Sequence, residues 1–233
     1  MKKAYRDYRL DDIQNKMQRM QIHPLDVLVV GVTGAGKSTT LNTFFQKEVA
    51  EVGLGVDPKT MEARSYRLNT QVRLWDTPGF GDSVERDARH AQAIKSLLQR
   101  TYHLNGTAYG LVDLVLVILD GGSRDMGTTN RLLQDIILPF IQPDRVLVAI
   151  NQADMGMKGQ HWDCYRNIPD DVLQNFLWDK EVSIMQRIRQ STGLSIRKPV
   201  SYSALYDYNI TGLYDLIIDN IPSERRPAER RFG

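Results

Sequence analysis

Apolar residues gather in short, nearly continuous runs at residues 25–30, 72–75, 114–119, 146–150 and 199–202, each of strand length and bounded by turn-forming residues. Between them the apolar positions recur at helical spacing, over roughly 37–45, 87–100, 129–140, 173–190 and 212–221. In the second of these segments the stripe is Ala91, Ile94, Leu97 and Leu98. Strands that are apolar on both faces, alternating with helices, predict a mostly parallel sheet covered on both sides, a three-layer α/β domain. Ligands of such sheets bind outside the carboxyl ends of the strands, so the chemistry is sought just after each run.

After the first run stands Gly31-Val32-Thr33-Gly34-Ala35-Gly36-Lys37-Ser38, a full match to G-x-x-x-x-G-K-[ST] between a strand and a helical pattern. The glycines let backbone N–H groups turn inward on phosphates, Lys37 reaches the β and γ phosphates, and Ser38 offers a hydroxyl to Mg²⁺. Thr39 continues the same nucleotide-binding turn, and the expected fold becomes a P-loop NTPase domain. After the second run, Asp76-Thr77-Pro78-Gly79 places a carboxylate that can hold Mg²⁺ through water and a Gly79 N–H that can sense a γ-phosphate. After the fourth come Asn151, Gln152, Ala153 and Asp154. A carboxylate at Asp154 accepts two hydrogen bonds from the guanine N1–H and 2-amino group, which adenine cannot supply, so one residue selects the base. Ser203 and Ala204 follow the last run, where a backbone N–H meets the guanine O6. That short stretch is weak alone and counts by position.

These four elements, in this order, resemble the GTPases of the translation-factor-related class and, within it, the Era-like group. The run LWDTPGFGDS is also similar to that of bacterial, often prophage-encoded GTPases described as ribosome-associated. From Gly31 to Leu205 the resemblance covers 175 of 233 residues. It implies a Mg²⁺-dependent domain that hydrolyses GTP to GDP and phosphate and switches conformation as it does so. It also implies a first-switch threonine that completes the Mg²⁺ and γ-phosphate contacts. Thr60, after Gly55-Val56-Asp57-Pro58-Lys59, matches it, and Thr70 is the alternative at a strand entrance. On this reading Lys37 and Thr60 are the catalytic positions and Ser38, Thr60 and Asp76 the metal positions.

Two departures change the expectation. Gln152 replaces the usual lysine of NKxD, keeping an aliphatic stem and a donor but losing the charge, so guanine selectivity survives with reduced affinity. Phe80 stands where related switches carry the glutamine that orients attacking water, and a phenyl ring cannot hydrogen-bond that water. Slow turnover follows, near about 10⁻⁴ s⁻¹, until a second copy or an activating protein partner completes the site. The alternative is a GTP-binding scaffold with negligible hydrolysis; Asn151 and Asp154 argue against an ATPase. Gly34, where potassium-activated relatives carry asparagine, removes the expectation of potassium dependence.

Composition adds exclusions. With 42% hydrophobic and 25% charged residues, wholesale disorder and fibrous repeats are excluded. No apolar run approaches the roughly 18 residues of a spanning helix, and the N-terminal MKKAYRDYRLDD leads into a polar stretch that predicts no secretory signal. A lone Cys164 fits a reducing, cytoplasmic setting. The net charge of +2 hides a division: residues 1–23 carry six basic residues against three acidic, residues 222–233 four against two, and the middle is net negative by three. If RNA, a ribosome or an acidic surface is a partner, the ends are therefore where its contact is expected.

The predicted organisation is an N-terminal amphipathic extension at 1–23, a GTP-binding domain at 24–221 with an insertion at about 155–185, and an exposed basic tail at 222–233 too short for a KH domain. Leu10, Ile13, Met17 and Met20 form a helical stripe expected to pack on its own domain. In the insertion, His161, Asp163 and Cys164 lack a fourth ligand for a metal site. Trp162, Phe176, Leu177 and Trp178 either pack the insertion down or form a partner surface. His23, His90 and His103 have no carboxylate or serine at a telling spacing, so no covalent catalysis is expected.

Overall fold

The structure is a computed structural model that describes residues 5, 7–21, 24–45, 64–81, 83–122 and 126–228. In chain order its elements are α1 (Leu10–Met20), β1 (Leu25–Gly31), α2 (Lys37–Phe45), β2 (Arg64–Arg67), β3 (Val72–Asp76), α3 (Val84–Gln99), β4 (Thr101–Leu104), β5 (Thr107–Gly110), β6 (Leu114–Asp120), α4 (Gly127–Arg131), β7 (Val146–Asn151), β8 (Trp162–Asp163), β9 (Ile168–Pro169), α5 (Asp171–Thr192), β10 (Val200–Ser201) and α6 (Ile210–Asp219). Six strands form the main sheet in the order β10-β7-β6-β1-β3-β2. Every pairing in it is parallel except that of β2 with β3.

The apolar runs are buried on both faces because alternate residues feed different cores. Val27 and Val29 of β1, with Leu114, Leu116 and Ile118 of β6, join α1, α2 and α6 on one side. Leu28 and Val30, with Val115, Val117 and Leu119, join α3, α5 and the turn after α4 on the other. At about 1.5–3 kcal/mol for each fully buried Leu, Ile or Val, these two clusters hold the three layers together. The chain leaves β1 for β3 on one side and for β6 on the other, so a crevice opens at the carboxyl end of β1.

The N-terminal stripe packs on its own domain. Ile13, Met17 and Met20 are buried, Arg9 pairs with Asp215 and Asp219 of α6, and Lys16 Nζ donates to the Ile218 carbonyl. The C-terminal segment departs from the predicted exposed tail over its described part. Arg226 is 5% exposed and donates to the Leu98, Val112 and Phe140 carbonyls. Arg225 lies over the rings of Tyr102 and Tyr109 in the β4–β5 hairpin. Several of the basic residues expected to face a nucleic acid are thus spent on the fold. In the insertion, Trp162 packs on Tyr206 and Tyr208 and Leu177 is buried, while Phe176 and Trp178 stay exposed. No helix among the described residues is long and apolar enough to cross a membrane.

Candidate functional site

The loop from Gly31 to Lys37 links β1 to α2 and wraps the crevice. Gly36 has φ +83, and a Cβ there would run into the Asn151 side-chain amide. Only glycine permits both that conformation and that approach. Lys37 is buried, its ammonium donating to the Gly31 and Val32 carbonyls at 3.2 and 3.1 Å. Asn151 Nδ2 donates to the Ala35 carbonyl at 2.9 Å. Gln152 Nε2 donates to the Gly34 carbonyl at 2.8 Å, so the glutamine braces the loop with a neutral donor where the usual lysine brings a charge.

Asp76 ends β3 beside this loop. Burial pushes its carboxyl up from the ordinary range, against the pull of Lys37, the Thr77 backbone N–H and Arg64. Its Oδ1 is buried without a hydrogen-bond partner, which is costly unless a ligand completes it. Gly79 passes so close to Thr33 that a Cβ would meet the Thr33 Cα at 2.6 Å. The next residue ties the two loops together: the Thr33 N–H donates to the Phe80 carbonyl at 2.7 Å. The Phe80 ring is buried in the α3-side core.

A cavity of about 1160 Å³ joins Thr33, Gly34, Gly36, Lys37, Ser38 and Thr39 to Asp76, Gly79 and Gln152. Arg64 and Tyr66 from β2 and Arg86, Arg89 and His90 from α3 also line it. Among the described residues Asp76 is the only acidic one that lines it, against Lys37, Arg64, Arg86 and Arg89, and such a field favours a polyanion. The buried, unpartnered Asp76 Oδ1 and the Ser38 hydroxyl are hard oxygen donors of the kind Mg²⁺ takes. No group of three or more His, Cys, Asp or Glu with metal-binding geometry occurs among the described residues. Two oxygen donors fit an ion whose remaining ligands come from phosphate and water.

Asp154 does not line that cavity. It lies beyond β7 with its Oδ1 buried and unpartnered. Ser203 is fully buried, and its Oγ accepts from the Tyr206 N–H. The Ala204 N–H donates to Asn151 Oδ1 at 3.0 Å. A buried asparagine must satisfy its carbonyl oxygen, and this N–H does so. Thr60 lies outside the described residues.

Arg64 and Tyr66 of β2 and His90, Arg86 and Arg89 of α3 are lining residues that the sequence did not single out. On α3, Arg86 and His90 are one turn apart with Arg89 next to His90, and the start of the helix is marked by Ser83, which caps it by accepting from the Arg86 N–H. That cap and helical spacing were the available signal.

The sequence profile of the family described as "50S ribosome-binding GTPase" matches residues 26–152. Human Septin-12 is 35% identical over 89 residues, 34% of this chain and 25% of that protein. The uncharacterized protein YfjP of Escherichia coli K12 is 28% identical over 129 residues, 54% of this chain and 40% of that protein. The chain thus spans two-fifths or less of these relatives. Toc33 from Arabidopsis thaliana, solved with GDP and Mg²⁺, has a TM-score of 0.63 at 17% identity, covering 97% of this chain and 96% of that one. Era, solved with MgGDPNP and a segment of 16S ribosomal RNA, has a TM-score of 0.52 at 18% identity, covering 86% and 58%. The likeness to these two structures is one of fold.

Proposed function

The chain belongs to the 50S ribosome-binding GTPase family, and on that premise we propose that it binds GTP with Mg²⁺ and hydrolyses it slowly to GDP and phosphate as a conformational switch of the Era-like kind. The observation that carries this reading is the meeting of Lys37, Ser38 and an unpartnered Asp76 carboxylate oxygen in one cationic cavity. Lys37 would leave the loop carbonyls for the phosphates, Ser38 and Asp76 would hold the ion with Thr60, and Gly79 would meet the γ-phosphate. Mg²⁺, when bound, neutralises charge on the β and γ oxygens. Asp154 would read the guanine, with Asn151 holding its loop to the phosphate loop.

Residues 24–221 form the nucleotide-handling domain on this reading, with 1–23 an extension whose described residues pack against it and 222–233 a segment whose described part braces the opposite end. Slow turnover is supported by Phe80, whose buried ring faces the core and offers water nothing. A second copy or a partner, the ribosome among them, would raise the rate. The test is phosphate release from preloaded GTP across protein concentration, with and without ribosomes. The expected basal rate is about 10⁻⁴–10⁻³ s⁻¹, rising with concentration or with ribosomes. Fast, concentration-independent release would sink the slow-switch reading, and binding with no release would leave a GTP-holding scaffold.

A further inference from the structure

We propose that His90 supplies, within this chain, the water acceptor that Phe80 cannot, so that basal GTP hydrolysis runs through its Nε2. This rests on the GTPase reading above. His90 Nδ1 lies 2.8 Å from the Gly79 carbonyl oxygen. A carbonyl has no hydrogen to give, so Nδ1 is the donor. In the neutral ring the proton is then fixed on Nδ1, and Nε2 carries a free lone pair. The ring lines the same cavity as Lys37 and Asp76, and it stands edge-on to Phe80 with centroids 6.1 Å apart. Phe80 thus serves as the wall that orients the imidazole.

The loop that carries Gly79 is tethered to α3 at two points. His90 holds the Gly79 carbonyl, and Asp87 Oδ1 accepts from the Gly81 N–H at 2.9 Å. If the Gly79 N–H meets the γ-phosphate, the imidazole bonded to the same residue's carbonyl is carried to the site with it, inside the cavity that both line. In the reaction the water oxygen forms a bond to the γ-phosphorus while the bond from that phosphorus to the β–γ bridging oxygen breaks, its electron pair leaving on GDP. Nε2 accepts a hydrogen bond from the water and aligns it, and both water protons depart with the phosphate product. No oxidant, reductant or second base is needed. His90 is therefore a catalytic residue by contact with the nucleophile, while its Nδ1 side is a strap on the loop.

Two variants separate these two sides of the ring. His90→Asn keeps an amide donor near the Nδ1 position and lacks the distant acceptor; His90→Gln places an amide oxygen near the Nε2 position and loses the strap. In the full chain, single-turnover hydrolysis of preloaded GTP is expected to fall roughly 10²-fold in H90N and less in H90Q, with GDP affinity kept within about threefold of the parent in both. Added imidazole is expected to restore part of the rate in His90→Gly. Parental turnover in H90N, or H90Q slower than H90N, overturns the acceptor role and leaves only a strap. If either variant fails to bind GDP, the imidazole arm decides: no rescue in a GDP-binding H90G also overturns the proposal. A parent protein that binds GTP and never releases phosphate defeats the enzymatic reading itself and this inference with it. A parent that hydrolyses while H90N is unaffected defeats only this inference.

Discussion

The two ends of the main sheet can be set side by side. At the amino ends of the strands, Asp26 of β1 accepts from Arg73 and from the Trp75 indole. There, too, Arg145 donates to the Asp113 and Glu224 carbonyls, and Arg226 spends its guanidinium on three carbonyls. At the carboxyl ends, Asp76 Oδ1 and Asp154 Oδ1 are buried with no partner. Polar groups satisfied from within the chain hold a fold, whereas groups left for something outside the chain mark a site. The amino end has exceptions: Asp113 Oδ1 is also unpartnered, as are the Oε1 atoms of Gln71 and Gln142, and of these Asp113 is the one that carries a charge.

If the amino end is structural, the largest effect comes from Arg226→Ala. It strands three buried carbonyls and loosens the β4–β5 hairpin, whose Gly110 N–H donates to the Arg226 carbonyl. A loss of about 3–5 kcal/mol in urea unfolding is expected, with GDP affinity in the folded protein unchanged within about twofold. A wild-type unfolding curve would remove the claim that this end holds the fold. At the other end Asp154→Asn should leave the unfolding curve in place and weaken GTP by roughly 10²-fold, about 2.7 kcal/mol. Xanthosine triphosphate, whose 2-oxo group suits an amide donor, should then be preferred; an unchanged preference for GTP would show that Asp154 is not the base reader.

Legibility followed how much of its partner each element carries within its own sequence. The phosphate loop, Asp76 and Asp154 were readable because each follows an apolar run, and those runs are β1, β3 and β7. β2 escaped, since Arg64-Ser65-Tyr66-Arg67 has no apolar run and is a strand only by pairing antiparallel with β3. The β4–β5 hairpin also escaped a search for apolar runs, although Asn105 and Gly106, both at positive φ, are the residues a tight hairpin turn demands. The predicted helix at 129–140 begins as α4 and continues as a wider-wound turn over Leu132–Ile137. His90 was the hardest to see. Its partner is a backbone carbonyl, which leaves no trace in residue spacing, and only the folded loop brings Gly79 to it. The tail misled because arginines in a proline-flanked segment look solvated until a tertiary cage of carbonyls is found for one of them.

The smallest effect expected concerns Asp113, and it tests whether the charged exception at the amino end is a real cost. Burial pushes its carboxyl up to about 7 from an ordinary 3.8. The native state then holds the proton more tightly than the unfolded chain, so the stability this group contributes is complete below about pH 4 and is lost as pH rises through 7. The Asp26 N–H, which donates to Asp113 Oδ2 at 2.9 Å, can be accepted equally well by an amide oxygen. Asp113→Asn should therefore match the parent near pH 4 and exceed it by about 1–2 kcal/mol at pH 8, since the net shift already includes the pull of Arg145 and Arg226 and relaxation around the buried charge leaves only part of it as lost stability. Urea unfolding at the two pH values reads the difference directly. If the gap is the same at both, the proton is not what Asp113 trades with the fold, and its unpartnered oxygen is no cost that the amide relieves.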